Sequence, residues 1–181
     1  TPGNDVRWEP LRELRPEHHG DRRLEGWLLT GWGVVSALGG LVMSIAGRND
    51  AFWLSQGLTT LSFAAFNIPL GIGLIDVGGS RLRDIQNDRY GELLLYDEVL
   101  EAAISAQTAK RVSLAVNGAL DVLYMVGGAL LVGLASRTSS RNTAAGAGWA
   151  MIGQGAVLLG LDIYGVIEAS RRAGELRRIR P

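Results

Sequence analysis

Cysteine is absent from this sequence of 181 residues, and histidine occurs only as the adjacent pair His18 and His19. Without cysteine, the chain has no disulfide, thiolate metal site, iron–sulfur cluster or cysteine nucleophile. Because neither histidine lies in a long apolar segment, a bis-histidine haem, a catalytic zinc and a copper site are also disfavoured. We therefore expect no cofactor and no metal.

The sequence also lacks the common catalytic motifs and an excess of charge of either sign. It has no phosphate-binding loop, no serine–histidine–aspartate set and no HExxH motif, which argues against an enzyme. Its 18 basic residues balance its 18 acidic residues. A net charge of zero argues against a nucleic-acid partner bound through bulk charge.

Long apolar runs are what the sequence does contain. Hydrophobic residues make up 47% of the chain and charged residues 20%, and the mean hydropathy is nevertheless positive. The charges are therefore segregated from the apolar runs, which is typical of a membrane protein. Residues 27–47 carry no charge, and at about 1.5 Å per residue they cover the roughly 30 Å hydrocarbon core of a lipid bilayer. We predict an all-α polytopic membrane protein with four spans, at about 27–47, 51–76, 112–136 and 145–168.

Short polar connections predict that these spans form two antiparallel hairpins. Residues 48–50 join the first two spans, and a polar stretch at 137–142 joins the last two. Residues 80–111 are too polar for the bilayer and predict a helical connection outside it. We expect residues 1–26 to be a polar, partly interfacial segment in which prolines 10 and 16 interrupt any long helix. Residues 169–181 form a basic tail.

Basic residues predict the orientation in the membrane. Fifteen of the 18 lie in residues 1–26, 79–111 and 168–181, and only Arg48, Arg137 and Arg141 lie on the opposite side. Since basic flanking segments are retained in the cytoplasm, we expect both termini on the cytoplasmic side of the membrane. The chain begins Thr1-Pro2, and a secretory signal removed before Thr1 would invert this topology.

Polar residues inside the apolar runs are the candidate site. On the third span, Asn117, Asp121 and Tyr124 share one helical face. The complete candidate set is Asn67, Asn117, Asp121, Tyr124, Gln154 and Asp162. These groups are expected to hydrogen-bond between helices and stabilise the bundle. The alternative is a mid-membrane cavity for a small ligand, a cation or a proton, with the two aspartates as its charged members.

Two further patterns concern partners and anchoring. Ser36, Gly40 and Ser44 on the first span and Ala156 and Gly160 on the fourth are small residues four apart. Such spacing allows close helix approach within the bundle, in a homodimer or in a larger membrane complex. The tryptophans lie near predicted span ends and are interpreted as interfacial anchors in the lipid bilayer.

The third and fourth spans carry runs that resemble a known family. Residues 116–128 read VNGALDVLYMVGG, and residues 154–162 read QGAVLLGLD. They are similar to the N-x-x-L-D-V-x-Y and Q-G-x-x-L-L-x-x-D runs of a family of small bacterial four-helix membrane proteins of unknown function. Asn67 and the opening 26–32 also fit, whereas 54–57 departs from a histidine-containing polar segment. The resemblance covers roughly residues 22–168 and implies the topology but no activity. The sequence thus predicts a non-enzymatic membrane protein, structural or accessory, with ligand, cation or proton binding or transport as the alternative.

Overall fold

The described part of the chain folds into four long helices. The computed structural model describes residues 8–75, 77 and 96–180. Helix α1 spans Trp8–Ala46, α2 spans Ala51–Ile75, α3 spans Tyr96–Leu134, α4 spans Arg141–Arg178, and a 3₁₀ turn at Ala135–Arg137 follows α3. Each of the four contains a stretch long and apolar enough to cross a membrane. This confirms the all-α class and indicates a multi-pass membrane protein.

Glycines set the distance between paired helices. Most contacts between helices fall between α1 and α2 and between α3 and α4. A Cβ atom added to Gly40 would lie 2.8 Å from the carbonyl oxygen of Gly57, and one added to Gly128 would lie 2.5 Å from that of Gly148. A methyl group does not fit at these distances, so the helix backbones touch directly. Contacts between α2 and α4 join the two pairs.

The two short turns lie at the same end of the bundle. In the first turn, Asp50 Oδ1 accepts a hydrogen bond of 2.8 Å from the backbone N–H of Phe52 and caps the start of α2. The hydroxyl of Ser55 donates a hydrogen bond of 2.8 Å to the carbonyl oxygen of Thr143. This bond links the first turn of α2 to the first turn of α4.

At the opposite end, α3 and α4 extend well past a bilayer thickness. They contain 39 and 38 residues, which at about 1.5 Å per residue is nearly twice the roughly 30 Å hydrocarbon core. The extensions pack against each other through Tyr96, Val99, Leu100, Ile104 and Leu176. Helix is therefore present over 96–111 of the predicted connection. The part at 80–95 lies outside the described residues.

The amino-terminal part of α1 differs from the sequence expectation. The helix begins at Trp8 and continues through positions 10 and 16 to Ala46, so the two prolines do not interrupt it. Position 10 lies in the first helical turn, where a missing N–H leaves no hydrogen bond unmade. Position 16 removes one backbone donor, and the turns on either side remain helical.

Candidate polar core and carboxyl pair

Gln154 is the centre of a hydrogen-bond network between α1 and α4. Its side chain is 4% exposed. The indole Nε1 of Trp32 donates to Gln154 Oε1 at 2.9 Å, and Gln154 Nε2 donates to Ser36 Oγ at 3.0 Å. Ser36 is also buried. A buried amide with both ends bonded costs little to bury, so this network stabilises the contact between two helices that touch over a short length.

Several other buried polar groups have no hydrogen-bond partner. Asn67 on α2 and Asp121 on α3 are each 5% exposed. Asn67 Nδ2 and Asp121 Oδ2 lack partners, as do Gln56 Oε1, Thr30 Oγ1 and Ser44 Oγ. A buried donor or acceptor without a hydrogen-bond partner lowers the stability of the fold, so these five atoms contribute no hydrogen bond to the helix contacts.

Asp121 and Asp162 form a carboxyl pair across the interface of α3 and α4. Their side chains are close enough to hydrogen-bond to each other. Asp162 lies over Gly118, one turn before Asp121, where an added Cβ would be 4.0 Å from Asp162 Oδ2. An added Cβ at Gly118 would be in ordinary van der Waals contact with Asp162, which places the Asp162 side chain against α3. Two ionised carboxylates have no proton to share, since each is only an acceptor.

Asp162 also lines a crevice bounded by all four helices. The crevice has a volume of about 80 Å³, which is room for several water molecules. Its walls are largely leucine, and Glu25 on α1 is its other acidic residue. Glu25 Oε1 lies 2.7 Å from Nζ of Lys110 on α3. The crevice thus has an ion pair beside it and one member of the carboxyl pair in its wall.

The structure places the six sequence candidates in different environments. Gln154, Asn67 and Asp121 are buried, Asp162 is half-buried, and Asn117 and Tyr124 are exposed. Asn117 and Tyr124 lie about 40° and 60° to one side of Asp121 around α3. Gly118, on the other side of Asp121, is buried. The ring of Tyr124 instead packs edge-on against that of Phe63 on α2, with centroids 5.5 Å apart.

Sequence reasoning did not assign Trp32, Ser36, Glu25 or Lys110 to the site. Trp32 was expected at the membrane interface, but its indole donates to Gln154. Ser36 belongs to the small-residue pattern of the first span. Its burial and its hydrogen bond from Gln154 show that it contacts α4. Glu25 and Lys110 are separated by 85 positions, and no local pattern connects them.

A second charged cluster ties α1 to α4 beyond the apolar segments. The Arg172 side chain is 8% exposed, and its guanidinium bonds to Asp21 on α1 and to Glu168 and Glu175 on α4. Burial disfavours the charged guanidinium, but the hydrogen bonds and charges of Asp21 and Glu175 outweigh it and raise the pKa of Arg172. Arg172 therefore stays charged up to strongly alkaline pH, and its contribution to stability is present throughout the range below.

The comparisons with known proteins agree with the resemblance in the third and fourth spans. The family described as "Family of unknown function (DUF6992)" matches residues 28–163. This range contains Trp32, Ser36, Gln154 and the carboxyl pair, whereas Glu25 and Arg172 fall outside it. No curated protein and no solved structure matches the chain. Since the match covers most of the sequence, the chain belongs to this family of unknown function.

Proposed function

We propose that this chain is a non-enzymatic structural or accessory protein of the bacterial inner membrane. Its four spans would form two antiparallel hairpins, with both termini and the extensions of α3 and α4 in the cytoplasm. The placement of both short turns at one end supports this topology. The extramembrane surface would then consist of α1 before the first span and the extensions of α3 and α4.

The observation that supports the structural role most directly is the Gln154 network, in which the oxygen and the nitrogen of the side-chain amide are both hydrogen-bonded. In an apolar solvent there is no hydrophobic force between spans, so polar pairs and close packing hold helices together. The side chain of Gln154 hydrogen-bonds to the indole of Trp32 on α1 and to the hydroxyl of Ser36, one turn further along the same helix. It therefore fixes both the distance and the register of α1 against α4.

The outer surfaces of the bundle support the lipid bilayer as the main partner. The exposed side chains of α1 include the large apolar residues Val34, Val35, Leu38, Leu41, Val42 and Ile45. On α4, by contrast, Gly153, Ala156 and Gly160 are exposed. A homodimer or a larger membrane complex would therefore contact this molecule through α4, where a second helix can approach closely.

Substitution of Gln154 by leucine tests the structural role, with Gln56→Leu as the matched control. Gln154→Leu leaves Trp32 Nε1 and Ser36 without partners and is expected to lower the free energy of unfolding by about 1–2 kcal/mol. Gln56 is also an intramembrane glutamine, but its Oε1 has no donor, so its replacement should be neutral or stabilising. Titration with a denaturing detergent in mixed micelles measures both. Equal effects of the two substitutions would contradict the proposal.

We propose proton or small-cation binding as the second candidate function, and one observation supports it. The buried carboxyl pair includes an acceptor without a partner and adjoins a crevice. A purely structural core would gain nothing from two adjacent acids, because their repulsion opposes folding.

A further inference from the structure

Two acidic side chains in contact inside an apolar bundle require a charge-compensating partner. Asp121 is nine-tenths buried or more, with an exposed fraction of 5%. Its Oδ2 has no hydrogen-bond partner, and its carboxyl faces that of Asp162. The pair lacks a hydrogen-bond donor, because two ionised carboxylates offer only acceptors.

The charged groups that line the crevice do not supply that donor. Among the described residues lining the crevice, α1 contributes Glu25, α2 contributes Leu74, and α4 contributes Tyr164 beside Asp162. Lys110 on α3 is engaged by Glu25 at 2.7 Å. Apart from Asp162, the charged groups beside the crevice are thus one acid and one already paired base.

A proton fits this site better than a metal ion. One proton bound between the carboxyls creates an O–H···O hydrogen bond, gives Asp121 Oδ2 or its neighbour a donor, and halves the buried negative charge. Calcium and magnesium take six or more oxygen ligands. Within the described part of the chain, no group of three or more acidic or histidine side chains is arranged to hold a metal ion.

The geometry points to Asp121 and Asp162 as a proton-binding site, in which one proton is shared by the two carboxyls and exchanged through the crevice next to Glu25. Asp121 is the more deeply buried of the two side chains, and Asp162 is half-buried in the wall of the crevice. The proton enters on Asp162 and leaves by the same path. This inference rests on the proposed membrane-spanning bundle but not on the role of Gln154.

Infrared difference spectroscopy of the purified protein in lipid vesicles tests the site directly. The wild-type protein is expected to show the C=O stretch of a protonated carboxylic acid at pH 7, which disappears as the pH is raised. The double variant Asp121→Asn plus Asp162→Asn is expected to abolish the band, and Glu25→Gln to leave it in place. Each single substitution is expected to shift the band, because the remaining carboxyl has lost the partner with which it shares the proton. The Gln154→Leu variant should retain the band if it folds, so this outcome is separable from the structural proposal.

Three results would overturn the inference. The first is a wild-type spectrum without a protonated carboxyl at pH 7, which needs no variant to fold. The second is a band that survives in the double variant or disappears in Glu25→Gln, which would locate the proton elsewhere. The third is loss of the wild-type band on adding sodium, potassium or calcium at constant pH, which would make the ligand a metal cation.

Discussion

Replacement of Gly128 by alanine should force α3 and α4 apart. The added Cβ would lie 2.5 Å from the carbonyl oxygen of Gly148 and 3.1 Å from the backbone nitrogen of Ile152. Both are backbone atoms of α4, so no side-chain rotation relieves the clash. Overpacking of this kind costs about 1–3 kcal/mol, and the better helix propensity of alanine returns up to about 1 kcal/mol of that.

Gly133→Ala on the same helix is the matched control. An added Cβ there meets nothing within 4 Å, so the substitution should be neutral or stabilise the protein by up to about 1 kcal/mol. Unfolding free energies from titration with a denaturing detergent, at one lipid composition, give the difference between the two variants. If Gly128→Ala were as stable as Gly133→Ala, direct backbone contact would not set the helix separation.

Two further predictions concern the charged end of the bundle and its orientation. Arg172→Met removes the buried cation that bonds to Asp21, Glu168 and Glu175 and leaves the exposed Arg171 beside the two glutamates, so it should lower the free energy of unfolding by about 1–3 kcal/mol. Arg171→Met, at an exposed position, should change it little. Thermal unfolding that is equal for the two variants would refute this. Because the chain has no cysteine, Asn49→Cys and Ser139→Cys should react with an impermeant thiol reagent on intact bacterial cells, and Gly174→Cys only after lysis. The reverse labelling pattern would show that the termini lie outside.

Apolar runs were sufficient to predict the four helices. A run without charge that is long enough to cross the bilayer has no other stable form in lipid, because every backbone donor and acceptor must be paired within the segment. The first residue of each helix was harder to predict. Helix α1, for example, begins at Trp8, well before the apolar run that starts at residue 27. Composition changes where a helix enters an apolar medium, but no such change shows where a helix that continues into water begins or ends.

The site was predictable only by residue type. Polar groups within a span are expected to face protein, and this correctly draws attention to Asn67, Asp121 and Gln154, which are all buried. Helical periodicity alone does not give the centre of the buried stripe, so Asn117 and Tyr124 share a nominal face with Asp121 and are nevertheless exposed. Gly118 on the other flank of Asp121 shows where that centre lies.

The sequence by itself determined the number of spans, the family, the set of polar groups and the charge bias between the two ends, because each depends on residues close together along the chain. Only the tertiary structure decided which polar groups meet. Gln154 reaches Trp32 across 122 positions, and Asp162 packs over Gly118, one turn from Asp121. Such pairings depend on the register and rotation of one helix against another, which glycine contacts fix to within a single turn.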